Sequence, residues 1–94
     1  MLFAGTPVKR TGRDRFIRNV LIAIGNSGDP ELAGSAEALV DDASPLIRAM
    51  AAWALWQLAP DRAADLAPAR LAQEADPEVR AEWARPSTNQ LEPA

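Results

Sequence analysis

Cysteine and histidine are both absent from this chain of 94 residues. Without cysteine, the chain forms no disulfide, offers no thiolate to zinc or an iron–sulfur cluster, and has no cysteine nucleophile. Without histidine, it lacks the most common general base and the most common transition-metal ligand. These absences predict that the chain by itself is not an enzyme and holds neither a metal nor a cofactor.

Long apolar runs are missing as well. No stretch approaches the roughly 20 residues that a membrane-spanning helix needs, and the apolar residues 1–5 are too short for a secretory signal. Hydrophobic residues make up 48% of the chain and charged residues 24%. This composition predicts one small, soluble, cytoplasmic domain that does not bind a membrane.

Positive charge is concentrated near the N-terminus, although the net charge of the chain is −3. Residues 1–18 contain five basic residues and one acidic residue, whereas residues 19–94 contain five arginines and twelve acidic residues. A basic cluster of this kind usually contacts phosphate, an acidic protein surface or water. An acidic chain can therefore still bind nucleic acid through this one segment.

A capping residue followed by proline recurs at Asp29-Pro30, Ser44-Pro45 and Asp76-Pro77. Each pair is typical of a helix start, because the first helical turn does not need the N–H that proline lacks. Thr11 and Pro60 indicate two further helix starts, and Asn26 or Gly28 can end the first helix in a left-handed conformation.

Strand patterns are nearly absent from the rest of the chain. We therefore predict an all-α fold whose helices cover residues 12–26, 30–41, 45–59, 61–75 and 77–85. Pro68 falls inside the fourth helix and is expected to kink it or split it in two.

A β-branched apolar residue precedes an arginine three times, at Ile17-Arg18, Ile47-Arg48 and Val79-Arg80, with spacings of 30 and 32 residues. Apolar helices follow these pairs, and more polar helices lie between them. This pattern predicts a short HEAT-like α-solenoid of two to two and a half helical-hairpin repeats. We assign residues 1–10 to a basic arm or linker, 11–85 to the repeat domain and 86–94 to a disordered tail.

Two of these arginines are expected to be structural. We predict that Arg48 and Arg80 pair with the carboxylates of Asp42 and Asp76 in the turns before their helices. Asp41 and Asp42 are interpreted as a solvated capping loop rather than an acid–base pair. The glycine-containing turn 25–28 follows a helix and lacks lysine, so it is interpreted as a helix end rather than a phosphate-binding loop.

Residues 7–15 are the most informative stretch for function. A helix N-terminus attracts anions weakly, and the basic side chains around this one would make it a clamp for a phosphate backbone. The alternative is a solvated basic arm or a linker, and Asn19 is more often bonded to a nearby carbonyl than to a ligand. For Arg18, the sequence is compatible with phosphate contact and with a structural role. The candidate nucleic-acid-binding residues are Lys9, Arg10, Arg13, Arg15, Arg18 and Asn19.

The first helix is apolar on every side over residues 20–24, although no helix precedes it in the chain. Such a helix needs contacts all round. This predicts that a partner, or a second copy of the chain, covers it.

Residues 3–28, FAGTPVKRTGRDRFIRNVLIAIGNSG, resemble the start of the C-terminal HEAT-like region of epoxyqueuosine reductase. The later segments SPLIR and DPEVR are similar to its repeats, and the resemblance extends to Arg85. It implies a parent enzyme that reduces epoxyqueuosine in the tRNA anticodon loop, with cobalamin and iron–sulfur clusters carried by upstream domains. This chain lacks the cysteines that those clusters need, so the resemblance implies an excised or separately encoded module without cofactors.

By the same resemblance, the partners are tRNA and the catalytic domains of the parent enzyme, and the six candidate residues fall in the matching basic block. The rival interpretation is a protein–protein scaffold that uses the apolar side of the first helix or the acidic helices. The tRNA interpretation predicts strongly salt-dependent binding that is lost, with unchanged helicity, when Arg13 and Arg15 become glutamate. The scaffold interpretation predicts sensitivity to Ile22→Glu and a weak dependence on salt.

Overall fold

A computed structural model describes residues 7–84, with side chains from residue 12 onward. Its elements are α1 (Pro7–Ser27), a 3₁₀ turn (Pro30–Leu32), α2 (Ala33–Glu37), α3 (Pro45–Leu58), α4 (Pro60–Gln73) and α5 (Pro77–Ala84). Residues 7–84 contain no strand, and the all-α prediction is confirmed. None of the described helices is long and apolar enough to cross a membrane. The predicted tail at 86–94 and residues 1–6 of the predicted arm lie outside the described residues.

The three predicted capping residues act as predicted. A side-chain oxygen of Asp29, Ser44 or Asp76 accepts a backbone N–H from the following turn at 2.9 to 3.5 Å. Gly28 follows α1 with a φ of 73°, the left-handed conformation that ends a helix at low cost for glycine. These local signals explain why most helix ends were predictable from the sequence.

Three predictions about helices were wrong, and the first two concern α1 and α4. α1 begins at Pro7, so Thr11 lies inside the helix rather than capping it. Proline is favoured at the first helical position, and the exposed Gly12 is tolerated farther along. α4 runs unbroken through Pro68. The missing N–H deprives the carbonyl of Ala64 of its helical partner, but both residues are exposed, so water can hydrate that carbonyl.

The second predicted helix is also shorter than expected. Regular α-helix covers only Ala33–Glu37, and the chain continues to Asp42 through tight turns. In these turns each backbone N–H bonds the carbonyl three residues earlier, as from Leu39 to Ala36 at 3.0 Å and from Asp42 to Leu39 at 3.2 Å. The predicted helix 30–41 therefore consists of a 3₁₀ turn, a short α-helix and further tight turns in succession.

α3 is the centre of the molecule. It packs against α1 on one side and α5 on the other, and α2 and α4 also pack on it. The helices thus form a row of α1, α3 and α5 backed by α2 and α4, which is the arrangement of stacked helical hairpins. The largest fully buried side chains belong to this core: Leu21, Ile47, Leu55, Val79 and Trp83.

Small residues let α1 and α3 approach each other closely. Gly25 is buried, and a Cβ atom built on it would overlap the ring of Trp53 on α3. On α3 itself, Ala51, Ala52 and Ala54 are completely buried. The tryptophan ring therefore fills space that only glycine leaves open on α1.

Candidate nucleic-acid interface

The outward side of α1 carries exposed basic and apolar side chains together. Leu21 is fully buried on the inward side, whereas Phe16 is 68% exposed and Val20 39% exposed. Arg15 and Arg18 are exposed on the same helix. The N-terminal end of the stack therefore offers both positive charge and apolar surface.

Arg15 and Arg18 line a groove between α1 and the start of α3, together with Asp14 and Leu46. Within residues 12–84, ion pairs are formed by arginines other than Arg15 and Arg18. The side chains of Arg15 and Arg18 make no hydrogen bond or ion pair in this part of the chain. Two guanidinium groups three residues apart on a helix lie on one face. They are available to an anion from outside.

Arg13 differs from its neighbours because it is already paired. Its Nη2 lies 2.7 Å from Oδ1 of Asp42 in the loop before α3, and its Nη1 lies 3.0 Å from Oδ1 of Asp14. The hydrogen bond with Asp42 raises the pKa of Arg13 and lowers the pKa of Asp42. Arg13→Glu would place its carboxylate beside those of Asp14 and Asp42, so this variant would disturb the ion pairs of α1 as well as any RNA contact.

The remaining candidates contribute unequally to this surface. Arg18 is the twelfth residue of α1, whereas Arg48 and Arg80 are each the fourth residue of their helix, so the repeated pattern does not place Arg18 at an equivalent position. Asn19 is exposed and makes no hydrogen bond with the part of the chain whose side chains are described. Lys9 and Arg10 belong to the helical backbone of α1, and their side chains lie outside that part.

Arg48 joins two loops. Its Nε and Nη2 donate to the two carboxylate oxygens of Glu74, each at 2.9 Å, and its Nη1 donates to the backbone carbonyls of Asp42 and Ala43. The prediction that Arg48 pairs with the carboxylate of Asp42 was therefore wrong. Arg48 binds the backbone carbonyl of Asp42 and forms its ion pair with Glu74, in the loop before α5. The hydrogen bond with Glu74 raises the pKa of Arg48 and lowers the pKa of Glu74.

Arg80 also binds backbone carbonyls ahead of its helix, at the end of α4 and just after it. Its Nη1 donates to the carbonyls of Leu71 and Glu74, the latter at 3.0 Å. The carboxylate of Asp76, predicted as its partner, instead caps α5. Here too the guanidinium binds carbonyl oxygens, which need donors where a helix ends.

A repeated carboxylate position organises these contacts. Asp42 and Glu74 each lie two residues before a helix cap and accept the backbone N–H of that cap, from Ser44 at 2.9 Å and from Asp76 at 3.0 Å. Each also accepts an arginine from the preceding helix of the row. The 32-residue offset between Asp42 and Glu74 was the sequence signal for Glu74, which we missed.

Two more ion pairs tie α4 to the segment before α3. Arg62 lies 2.6 Å from Glu37, and Arg70 lies 3.1 Å from Asp41. Among residues 12–84, four of the five arginines outside the Arg15–Arg18 groove thus form ion pairs within the fold, which leaves that groove as a distinct cationic surface. In the described residues, no three potential metal-ligating side chains come together. With no cysteine or histidine anywhere in the chain, the donor set does not fit an iron–sulfur cluster.

Helical hairpins stacked in two rows, with arginines joining successive loops, define a helical-repeat protein. The chain belongs to the HEAT-repeat family, whose model, described as HEAT repeats, matches residues 10–85. This confirms the predicted HEAT-like solenoid.

Relatives with an established name support the predicted resemblance. An epoxyqueuosine reductase from Xanthomonas campestris pv. campestris is 35% identical over 54 residues, which cover 56% of this chain and 15% of that protein. Another from Alicycliphilus denitrificans is 39% identical over 61 residues, covering 56% of this chain and 17% of that protein. The chain thus matches about a sixth of the length of these relatives. No solved structure matches it significantly.

Proposed function

We propose that this chain is the non-catalytic HEAT-repeat module of an epoxyqueuosine reductase system, which binds the tRNA backbone and docks on the catalytic domains. Reduction of epoxyqueuosine, with the cobalamin and iron–sulfur clusters that the resemblance implies, then belongs to other domains or chains in the cytoplasm. The observation that carries the proposal is the pair of exposed arginines at the N-terminal end of the stack, Arg15 and Arg18, which have no side-chain partner within residues 12–84.

Electrostatics favours this end for RNA. Residues 19–94 are strongly acidic and would repel a phosphate backbone, whereas α1 places two guanidinium groups in one groove. Guanidinium groups match phosphate oxygens in bidentate geometry, and A-form RNA is contacted mainly through its backbone and 2′-hydroxyl groups. The expected interaction is weak, salt-sensitive and independent of base identity.

Apolar surface beside the groove supports docking. Phe16, Val20 and Leu46 are all exposed, at 68%, 39% and 44%. Apolar groups that gather near a charged rim are typical of protein interaction sites. One end of the stack could therefore contact a catalytic domain and the tRNA bound to it at the same time.

A titration with unmodified tRNA whose anticodon begins with guanosine, repeated at several salt concentrations, tests RNA binding. We expect a log–log salt slope of roughly −2 to −4, because each neutralised phosphate contributes about −0.7 to −0.9. Arg15→Gln with Arg18→Gln should weaken binding at least about tenfold at low salt and reduce the steepness of the slope by about 1.5. Arg62→Gln is the control for a positive charge removed elsewhere on the surface, and it should change binding little.

Failure of these variants to affect binding, or no binding at low salt, would rule out the RNA contact and leave docking as the role of this end.

The second candidate function, a protein–protein scaffold without a nucleic-acid role, is favoured by the exposed Phe16. Phe16→Glu is a cleaner test of it than Ile22→Glu, because Ile22 is half-buried and its replacement would disturb packing. A scaffold should lose its partner in Phe16→Glu and respond only mildly to salt.

A further inference from the structure

We propose that Arg80, at the opposite end of the stack, is a docking point for a carboxylate on a helical partner protein. Arg80 is the fourth residue of α5, as Arg48 is the fourth residue of α3. Both use Nη1 to bind two backbone carbonyls ahead of their own helix. For Arg48 both carbonyls lie in the preceding loop, whereas Arg80 binds Leu71 in the last turn of α4 and Glu74 just after it. Arg48 additionally grips the carboxylate of Glu74 through Nε and Nη2.

The corresponding edge of Arg80 has no partner in residues 12–84. Its Nε and Nη2 make no hydrogen bond there, and Arg80 is exposed. The guanidinium is planar, so two bonds from Nη1 to backbone carbonyls also restrict the orientation of the Nε–Nη2 edge. A carboxylate reaching this edge would be bound in the bidentate geometry that Arg48 and Glu74 already adopt.

The helix surface around Arg80 repeats a surface that is covered elsewhere in the stack. The 32-residue offset relates Ala49 and Ala52 on α3 to Ala81 and Ala84 on α5. On α3 these alanines are buried, 8% and 0% exposed, whereas Ala81 and Ala84 are exposed. Small side chains permit a helix to pack closely alongside. α5 thus presents the combination of arginine and alanines that α3 buries within the fold.

Charge selects the occupant. Asp76 and Glu78 lie beside Arg80 at the start of α5, so a polyphosphate would meet repulsion that a single carboxylate largely avoids. A second copy stacked head to tail would bring α1, with Arg15 and Arg18, against Arg80. We therefore infer that the occupant is a helix of a partner protein. An acidic residue lies two positions before the cap of that helix, as Glu74 lies two positions before Asp76 in this chain.

A peptide of residues 60–84 serves as the probe, because it contains α4, Glu74 and α5, the elements that pack on α3 and pair with Arg48 in the full chain. Titrated into the ¹⁵N-labelled full chain, it should shift the Nε–Hε resonance of Arg80. The Glu74→Gln peptide keeps the shape and the Asp76 cap but loses the carboxylate, and should bind about tenfold more weakly. Arg80→Lys in the labelled chain should cause a similar loss of affinity for the unmodified peptide, because an ammonium group cannot form two parallel bonds.

The controls separate this proposal from RNA binding. Arg15→Gln with Arg18→Gln should leave peptide binding unchanged, whatever the tRNA titration shows. Equal affinity for the Glu and Gln peptides, an unmoved Arg80 resonance, or shifts centred on Phe16 would each overturn the proposal. So would a response of Arg80 to tRNA but not to the peptide, because the site would then recognise phosphate.

Discussion

At the scale of single residues, the arginines of this chain differ mainly in their partners. Arg13 and Arg48 hold carboxylates of neighbouring loops, whereas Arg15 and Arg18 hold none in the described part of the chain. Counting basic residues near the N-terminus therefore overestimates the charge that is free to bind phosphate. The paired arginines join neighbouring segments of the stack, and Arg15 and Arg18 are the ones that we expect to contact phosphate.

Glu74→Gln should destabilise the chain measurably. The side chains of Arg48 and Glu74 are only 21% and 9% exposed, so the glutamine variant leaves a partly buried cation without its counter-charge. We expect the free energy of unfolding to fall by about 1–3 kcal/mol, with a melting temperature lower by several degrees. Thermal unfolding followed by circular dichroism measures both.

Arg62→Gln provides the comparison, because its pair with Glu37 is 51% and 32% exposed. Breaking such an exposed pair usually costs less than about 1 kcal/mol.

The pH dependence of stability gives a second readout, since hydrogen bonds from arginines lower the pKa values of Glu74 and Asp42 below their ordinary 4.5 and 3.8. The unfolded chain then binds more protons than the folded chain, so stability is fully present above about pH 5.5 and falls as the pH drops through these values. A Glu74→Gln variant with the same acid-induced loss as the unmodified chain would contradict this assignment.

At the scale of helices, what was predictable from the sequence was local. The caps Asp29, Ser44 and Asp76 bond backbone within three residues, so their sequence pattern carries nearly all the information needed. The partner of Arg48 was not predictable in the same way, because Glu74 lies 26 residues away and meets it only when α5 stacks on α3. For the same reason, the basic segment could be located in the sequence, but the neutralisation of Arg13 by Asp42 could not.

Gly25→Ala should destabilise the packing of α1 on α3. Alanine favours helix by about 1 kcal/mol over glycine, but its Cβ would overlap the ring of Trp53. Overpacking of this kind typically costs about 1–3 kcal/mol, so we expect a net loss of stability. Chemical denaturation followed by tryptophan fluorescence reports both the stability and the environment of the ring.

Gly12→Ala is the matched control on the same helix. Nothing lies within 4 Å of a Cβ built at Gly12, so the gain in helix propensity should appear as about 0.5–1 kcal/mol of added stability. If both alanine variants were stabilised equally, close contact between Gly25 and Trp53 would not be what holds these helices together.

At the scale of the whole molecule, the two ends of the stack are chemically unlike. The α1 end combines Arg15 and Arg18 with exposed apolar side chains, whereas the α5 end combines one oriented arginine with exposed alanines. α3, between them, is covered on both sides. A helix at the end of a stack has one neighbouring helix fewer than a helix inside it, so the outer surfaces of α1 and α5 are the ones we propose as contact sites for partners.

Self-association through α1 is the prediction that belongs to this scale. Two copies that cover Phe16 and Val20 against each other would also bring together Arg15 and Arg18 of both copies. Salt screens this repulsion, so we expect concentration-dependent sedimentation to show more self-association at high salt, the opposite of the trend for RNA binding. Phe16→Glu should abolish the association without altering helicity, because Phe16 is 68% exposed. Association that weakens with salt, or that survives in Phe16→Glu, would mean that charged surfaces rather than the apolar side of α1 hold the copies together.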